Sequence, residues 1–490
     1  MNSIGRNKKI VFTRLWNEIA FIATFIILWV ILCLQNNRNM LQYIRLKKKV
    51  RRIIVMVKIA VVSLGCNKNL VDSEMILGLL VKRGYEIVSD ESLADIIIIN
   101  TCAFINDAKE ESINKIIELG KLKEDKCKGL IITGCLATRY EKEIKESLPE
   151  VDSIAKINDY DTIIDFIDKK IKDNNINEEI RRIKFGERIR ATSPETAYVK
   201  IADGCNNHCT YCVIPAIRGE HKSRSMEDIE EEVRKLGEDG VTEIILTAQD
   251  TTYYGLDNYG ERKLPELIER LSKIDDIHWI RFQYSYPEGI TDELIKIVKE
   301  NKKVMKYFDI PLQHCNNEIL KLMGRKTSKE EIMKLIEKIR REIPEATIRT
   351  SLIVGFPTET DEQFNELNEF IKEVKLDRLG VFTYSREEGT AAAKLKGQIS
   401  AKIKKQRQSI IMENQQKISL GKNKEKIGKE MEVLVEGVLP SGAFFGRTYQ
   451  DAPEVDGLAF IESERELVLG EYYMVRVVDA KEYDIICELI

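Results

Sequence analysis

Short, wholly apolar runs alternate along most of this chain with stretches in which apolar residues recur every three or four positions. From position 56 the runs KIAVVSLG (58–65), ADIIIINT (94–101) and KGLIITG (128–134) read as strands. LVDSEMILGLLVKRG (70–84) and INDAKEESINKIIELGK (105–121) read as amphipathic helices between them. Strand–helix alternation of this kind predicts an α/β fold with a parallel, doubly wound sheet up to about residue 173. No G-x-G-x-x-G follows the first strand, which argues against a dinucleotide site.

A charged, poorly periodic segment (174–195) reads as a linker. Beyond it the alternation resumes with YVKIA (198–202), EIILTAQD (243–250), HWIRFQYSYP (278–287), YFDIPLQH (307–314), ATIRTSLIVGFP (346–357) and RLGVFTYSREEGT (378–390). Five or six such units predict a partial (β/α) barrel with functional loops at the carboxyl ends of its strands. A long polar helix follows Leu395. From Lys429 the texture changes to five short alternating strands separated by Leu439-Pro-Ser-Gly442 and Asp456-Gly457, the pattern of a small antiparallel barrel of the oligonucleotide-binding kind. The expected division is 1–55, 56–173, 191–425 and 427–490.

Composition changes the picture at both ends. Residues 1–55 hold eleven Lys/Arg against Glu18 alone, a net of +10, so the remainder carries −13 within the overall −3. Ile19–Leu34 is an apolar run shorter than the roughly 17–20 residues a membrane span requires. Two readings stand: a marginal anchor, or an extension upstream of a start at Met56, the second being preferred. Residues 429–490 carry fourteen Asp/Glu against five Lys/Arg, the wrong sign for an RNA-binding face.

Ten cysteines without a secretory pattern point to a reducing compartment, hence a cytoplasmic protein, and to metal rather than disulfides. Cys205, Cys209 and Cys212 form C-x3-C-x2-C in a loop opened by Gly204, just past an apolar strand. Three thiolates can hold three irons of a [4Fe–4S] cube and leave the fourth open for chemistry. The competing reading is a zinc site, whose fourth ligand would be His208, His221 or a distant residue. Cys66, Cys102 and Cys135 each end one of the first three strands, so they are expected to converge on one crevice. Cys33, Cys127, Cys315 and Cys487 share no such placement and read as buried apolar residues. Polar residues also gather at the barrel strand ends: Gln249, Asp250, Tyr284, Gln313, His314, Arg349, Ser351, Tyr384 and Ser385.

The C-x3-C-x2-C loop, with Tyr211 before its last cysteine, resembles the radical S-adenosylmethionine (radical SAM) superfamily. LGCNKNLVDSE (64–74), NTCAFI (100–105) and TGCLA (133–137) resemble the amino-terminal domain of its methylthiotransferases. The last strands resemble the TRAM domain that ends them, and GRTYQDAPEVDG (446–457) resembles the branch that acts on a ribosomal protein. One departure is Asn67, where that branch more usually has proline. The resemblance implies two [4Fe–4S] clusters, on Cys205/Cys209/Cys212 and on Cys66/Cys102/Cys135, with S-adenosylmethionine on the open iron of the first. It places Gln249 and Asp250 at the cofactor amino group and Gly355, in IVGFP, beside the adenine, with Arg349 and Ser351 on the same rim. It further implies that a deoxyadenosyl radical takes hydrogen from the β-carbon of an aspartate in small-subunit ribosomal protein S-twelve. That carbon then receives a methylthio group from the auxiliary cluster. An electron donor such as flavodoxin or ferredoxin would be a partner; a membrane would not. The alternatives are a methylthiotransferase of a tRNA adenosine and, in a different class, a two-cluster electron carrier. The acidic barrel is expected to dock the basic ribosomal protein, with Glu454 and Asp456 on its face, and to present the aspartate between the clusters.

Overall fold

Four consecutive isoleucines, Ile96–Ile99, sit fully buried at the centre of the first sheet, because a parallel strand covered on both faces has no polar side to show. The computed structural model describes residues 57–171 and 176–490, so the expectations for residues 1–55, including Cys33, lie outside the described part. The first sheet contains β1 (Lys58–Ser63), β2 (Glu86–Ile87), β3 (Ile96–Thr101), β4 (Gly129–Thr133) and β5 (Ser153–Ile154). They are ordered β2-β1-β3-β4-β5, all parallel. Helices Asn67–Arg83 and Tyr160–Lys170 cover one face through Ile76, Leu80, Ile163 and Ile167. Helix Asn106–Gly120 covers the other through Ile116 and Leu119. In this order the winding reverses between β1 and β3, so the ligand crevice lies beyond their carboxyl ends.

The second α/β region begins with β6 (Thr196–Lys200). A two-stranded ribbon, β7 (Ala202–Asp203) with β8 (Lys222–Ser223), brackets the cysteine loop. Then come β9 (Glu243–Thr247), β10 (Trp279–Phe282), β11 (Tyr307–Asp309), β12 (Thr347–Val354) and β13 (Arg378–Thr383). β10-β9-β6 and β11-β12-β13 are parallel three-stranded sheets that meet at an Ile280–Val304 bridge, giving an open half-barrel. Strand alternation sends Ile348, Leu352 and Val354 outward into the helix-covered core. Arg349, Ser351 and Ile353 fall on the opposite, half-buried inner face.

Helix Asn67–Arg83 lies against the open edge, where Leu70 and Val71 pack on Tyr198 of β6 and Ile245 of β9. At the other edge, the buried Glu387 carboxylate, beyond β13, accepts from Lys109 (2.8 Å) and Arg139 (3.1 Å). The segment expected as a plain linker is anchored. Arg188 is buried, donates to Glu74 (2.9 Å) and to the Tyr198 carbonyl (2.6 Å), and pairs with Glu232.

The last region is a closed barrel of β14 (Glu430–Val438), β15 (Phe444–Thr448), β16 (Ala459–Glu462), β17 (Tyr472–Ala480) and β18 (Ile485–Leu489), ordered β14-β15-β16-β18-β17. The sequence reads as wholly antiparallel, yet β16 and β18 pair in parallel. A ring of five strands cannot alternate direction all the way round, so one pairing must be parallel.

This barrel sits at the amino ends of the half-barrel strands. Buried Arg447 reaches Glu243, the first residue of β9 (2.6 Å), as well as Glu436 and Thr196. Asp451 pairs with Arg378, which starts β13. Asp456 accepts from Tyr307 at the start of β11 (2.5 Å) and lies 3.5 Å from Arg349. Two expectations are thereby corrected. The Asp456 carboxylate is turned inward and buried, leaving Glu454 as the exposed member of the pair. The small barrel also stands at the opposite end of the strands from the cysteine loop. It therefore cannot itself hold an aspartate between the two cysteine sets. Part of the acidic excess that suggested a docking face neutralises arginines of the half-barrel instead.

Candidate active site

Each cysteine of the first set follows from a local backbone requirement. Cys66 caps helix Asn67–Arg83, Cys102 directly follows β3, and Cys135 lies in the first turn of the helix after β4. Gly65 has φ +92°, and a Cβ there would come within 2.7 Å of the Cys102 Cβ, so only glycine lets the β1 loop close onto Cys102. Burial pushes the Cys135 thiol up to about 12, with the neighbouring Arg218 lowering it and Cys102 and Cys66 raising it. Gly65, next to Cys66, lies against Cys102 and Asn69, and Asn69 lies 3.7 Å from Cys135 Sγ, so the three cysteines gather around one side chain.

The second set lies in the loop between β7 and helix Ile214–Arg218. Gly204 (φ +77°) fits there because a Cβ would strike the Glu220 backbone. Asn207 N donates to Cys205 Sγ (3.4 Å) and Ile214 N to Cys212 Sγ (3.4 Å). Tyr286 Oη lies 3.5 Å and Arg325 Nη1 3.8 Å from Cys209 Sγ. Burial pushes Cys212 up to about 12, reinforced by Cys209 and Cys205. Thiols backed by hydrogen bonds to sulfur suit iron–sulfur ligation. Among the described residues, no three His, Cys, Asp or Glu side chains close around a single ion. Nor is a fourth zinc ligand at hand: His208 is exposed, and His221 bonds Ser223 Oγ (3.1 Å) and packs on Tyr253. Three thiols with no fourth ligand beside them suit a cube with one open iron better than a four-coordinate zinc.

The two sets meet through residues that sequence reasoning did not single out. Buried Arg218 donates from Nη1 to both Asp203 oxygens (3.0 Å each), and from Nη2 to Asn69 Oδ1 (2.7 Å) and Asp72 Oδ2 (2.9 Å). Lys200 pairs with the same Asp72 and with Asp203 at 3.1 Å. Asn69 in turn donates to the Leu64 and Thr101 carbonyls (2.9 and 3.1 Å), and its Oδ1 lies 3.7 Å from Cys135 Sγ. Charges placed inside otherwise apolar or buried segments, Lys200 in YVKIA and Asp72 in LVDSEMIL, were the available signal. Asn67, the departure from the family pattern, donates to Gln283 (2.9 Å) and accepts from Thr247 (3.4 Å), both on the half-barrel rim. Cys66 and its neighbours thus lie over the barrel mouth.

The remaining rim residues separate by environment. Gln249 donates to Asp203 (3.0 Å), while its Oε1 is buried without a partner. Asp250 uses both oxygens locally, on Asn207 Nδ2 (2.8 Å) and on Thr252 N and Oγ1 (3.1 and 2.6 Å), and so braces the cysteine loop. Arg349 bonds Asp309 (2.9 Å) and leans toward Asp456. Gly355 (φ +72°) opens the turn after β12, and its neighbour Phe356 packs with Tyr211 and Tyr384. His314 is a buried structural residue that accepts from Asn316 N through Nδ1 (3.0 Å). Cys127, Cys315 and Cys487 are buried and apart from both sets.

A half-barrel with a three-cysteine loop on its carboxyl rim is the architecture of a radical SAM protein. Residues 199–371 match the family model described as the radical SAM superfamily. A solved radical S-adenosylmethionine methyltransferase, TsrM from Kitasatospora setae, shares the fold at TM-score 0.50 and 12 % identity, over 69 % of this chain and 77 % of that one. Residues 58–156 match an uncharacterised protein family, UPF0004, and 427–490 the TRAM domain. Curated relatives described as ribosomal protein uS12 methylthiotransferase RimO align almost end to end. The relative from Lachnoclostridium phytofermentans is 50 % identical over 88 % of this chain and 99 % of its own. That from Thermoanaerobacter sp. is 47 % identical over 88 % and 100 %, and that from Clostridium acetobutylicum 50 % over 88 % and 97 %. The chain belongs to the RimO family of ribosomal protein uS12 methylthiotransferases.

Proposed function

We propose that this chain is a radical SAM methylthiotransferase that places a methylthio group on the β-carbon of an aspartate of ribosomal protein uS12. In this reading it carries two [4Fe–4S] clusters, one on Cys205, Cys209 and Cys212 and one on Cys66, Cys102 and Cys135. The observation that carries the two-cluster reading is the Arg218–Asp72–Lys200–Asp203 network, which ties the two cysteine loops into one rigid rim. The division proposed with it is 56–173, 191–425 and 427–490.

With S-adenosylmethionine bound, an open iron supplies one-electron cleavage of a sulfonium, the chemistry needed where a C–H bond offers no proton to a general base. The chain's own residues position and shield. Arg325 and the amides of Asn207 and Ile214 bond the sulfurs and tune them. The unpaired Gln249 Oε1 can accept from the cofactor ammonium. Ser351, on the inner face of β12, faces its polar groups beside Arg349, whose guanidinium is held by Asp309 and Asp456, and Gly355 leaves room for the adenine. Val71, packed on Tyr198 and Ile245, seals the open edge of the half-barrel against water. Among the described residues no helix is long and apolar enough to cross a membrane. The nine free cysteines of the described part suit the cytoplasm, where flavodoxin or ferredoxin would deliver electrons.

Anaerobic reconstitution tests the assignment. About eight irons per chain are expected from two cubes. Cys205→Ala loses about half of them and all deoxyadenosine formation. Cys102→Ala loses the other half and all methylthiolation while still cleaving the cofactor. Methylthiolation surviving Cys102→Ala contradicts the auxiliary set.

A further inference from the structure

Lys68 is a buried cation with no counter-charge among the described residues. It lies two residues after Cys66, is 7 % exposed, and its Nζ stands 3.4 Å from the centroid of the Tyr284 ring. Asp72, one turn on in the same helix, is engaged with Lys200 and Arg218, and Asp309, which accepts from the Tyr284 amide, is engaged with Arg349. An ammonium covered mainly by a ring face is under-compensated in a buried setting, where charges normally find a hydrogen-bonded opposite charge. Tyr284 is itself unusual, a non-glycine residue at φ +61° on the barrel rim. Backbone strain of this kind persists where the surroundings over-determine it, as at ligand clamps. Asn67, bonded to Gln283, fixes this pair at the barrel mouth beside Cys66.

We propose that Lys68 receives the side-chain carboxylate of the target aspartate, Tyr284 covering the ammonium in the free enzyme. The proposal rests on the uS12 reading above. The β-carbon is bonded directly to the carboxyl carbon, so anchoring the carboxylate holds the reacting carbon within one bond of the anchor. A neutral amide offers Lys68 no charge, and the site discriminates against it.

The test is anaerobic equilibrium binding, by fluorescence anisotropy, of uS12 and of uS12 with the modified aspartate replaced by asparagine. Both are titrated against the reconstituted parent, Lys68→Met, Lys68→Gln and Lys68→Arg, with iron content as the check on folding. The parent is expected to prefer the aspartate form by roughly 30-fold or more, the loss typical of truncating one partner of a buried charge pair. The two neutral variants bring the preference within about threefold, and Lys68→Arg keeps a preference of about tenfold. An undiminished preference in both neutral variants overturns the proposal. If the parent modifies no aspartate of uS12 by mass spectrometry, the functional reading fails instead. Modification with unchanged discrimination refutes Lys68 alone.

Discussion

Arg218→Met removes the guanidinium that joins the two cysteine loops while keeping most of its aliphatic stem. Four hydrogen bonds disappear: two to Asp203, one to Asp72 and one to Asn69. Taking one partner from a buried ion pair costs about 3–5 kcal/mol because the remaining charge stays buried. Here Lys200 still faces both acids, so about 2–3 kcal/mol is expected. At roughly 2–4 °C per kcal/mol for a melting unit of 150–250 residues, the transition of the apo region that carries the cysteine loops should fall by about 4–12 °C. Exchange protection should fall first at the β1 loop and in helix Ile214–Arg218. Arg218→Lys restores charge without the fork and recovers less than half of the loss. Asp72→Asn in the Arg218→Met background should couple by about 1–3 kcal/mol, since the residues share one network. A shift below about 1 °C, with additive effects in the double variant, would refute the view that this network sets the distance between the two cysteine sets.

Gly355→Ala places a Cβ 3.2 Å from Lys404 Cβ, and nearer its Cγ, at a left-handed φ. It should cost about 1–3 kcal/mol and weaken S-adenosylmethionine binding several-fold by equilibrium dialysis; unchanged affinity would remove Gly355 from the cofactor wall. His314 gives a pH signature. Burial pushes its imidazole down to about 3, so below about 6.5 the unfolded chain takes a proton that the folded chain refuses. The stability from keeping His314 neutral is therefore present above 6.5 and lost as pH falls toward 3, at about 1.4 kcal/mol per unit. The destabilisation by His314→Asn, read by urea titration, should accordingly shrink between pH 7 and pH 5; a constant difference contradicts the assignment.

The α/β alternation and the positions of the cysteines at strand ends were legible because each rests on local signals: isoleucine-rich strands, turn glycines, and thiols beside them. What lay out of reach was polar and long-range. Helix Ala401–Lys424 reads as a long polar helix, and the structure buries Arg407, Gln415 and Asn423 along one stripe of it, binding Glu359 and the Leu376 and Lys481 carbonyls. Apolar periodicity cannot report a face whose buried residues are hydrogen-bonded polar ones. The acids of the small barrel misled for a related reason. Net charge does not distinguish a solvated carboxylate from Asp451 or Asp456, which meet arginines some seventy to a hundred residues earlier in the chain. Arg349 shows the same limit: rim placement suggested cofactor contact, and the structure adds a tie to Asp456 across the lumen.

The most direct measurement of the central claim is mass spectrometry after the reconstituted protein has met S-adenosylmethionine, a reductant, sulfide, uS12-containing ribosomes and bulk tRNA in one anaerobic reaction. The account predicts a methylthio group on one aspartate of uS12, lost in Cys102→Ala and Cys205→Ala alike, with tRNA nucleosides unchanged. A methylthiolated adenosine with unmodified uS12 would contradict it.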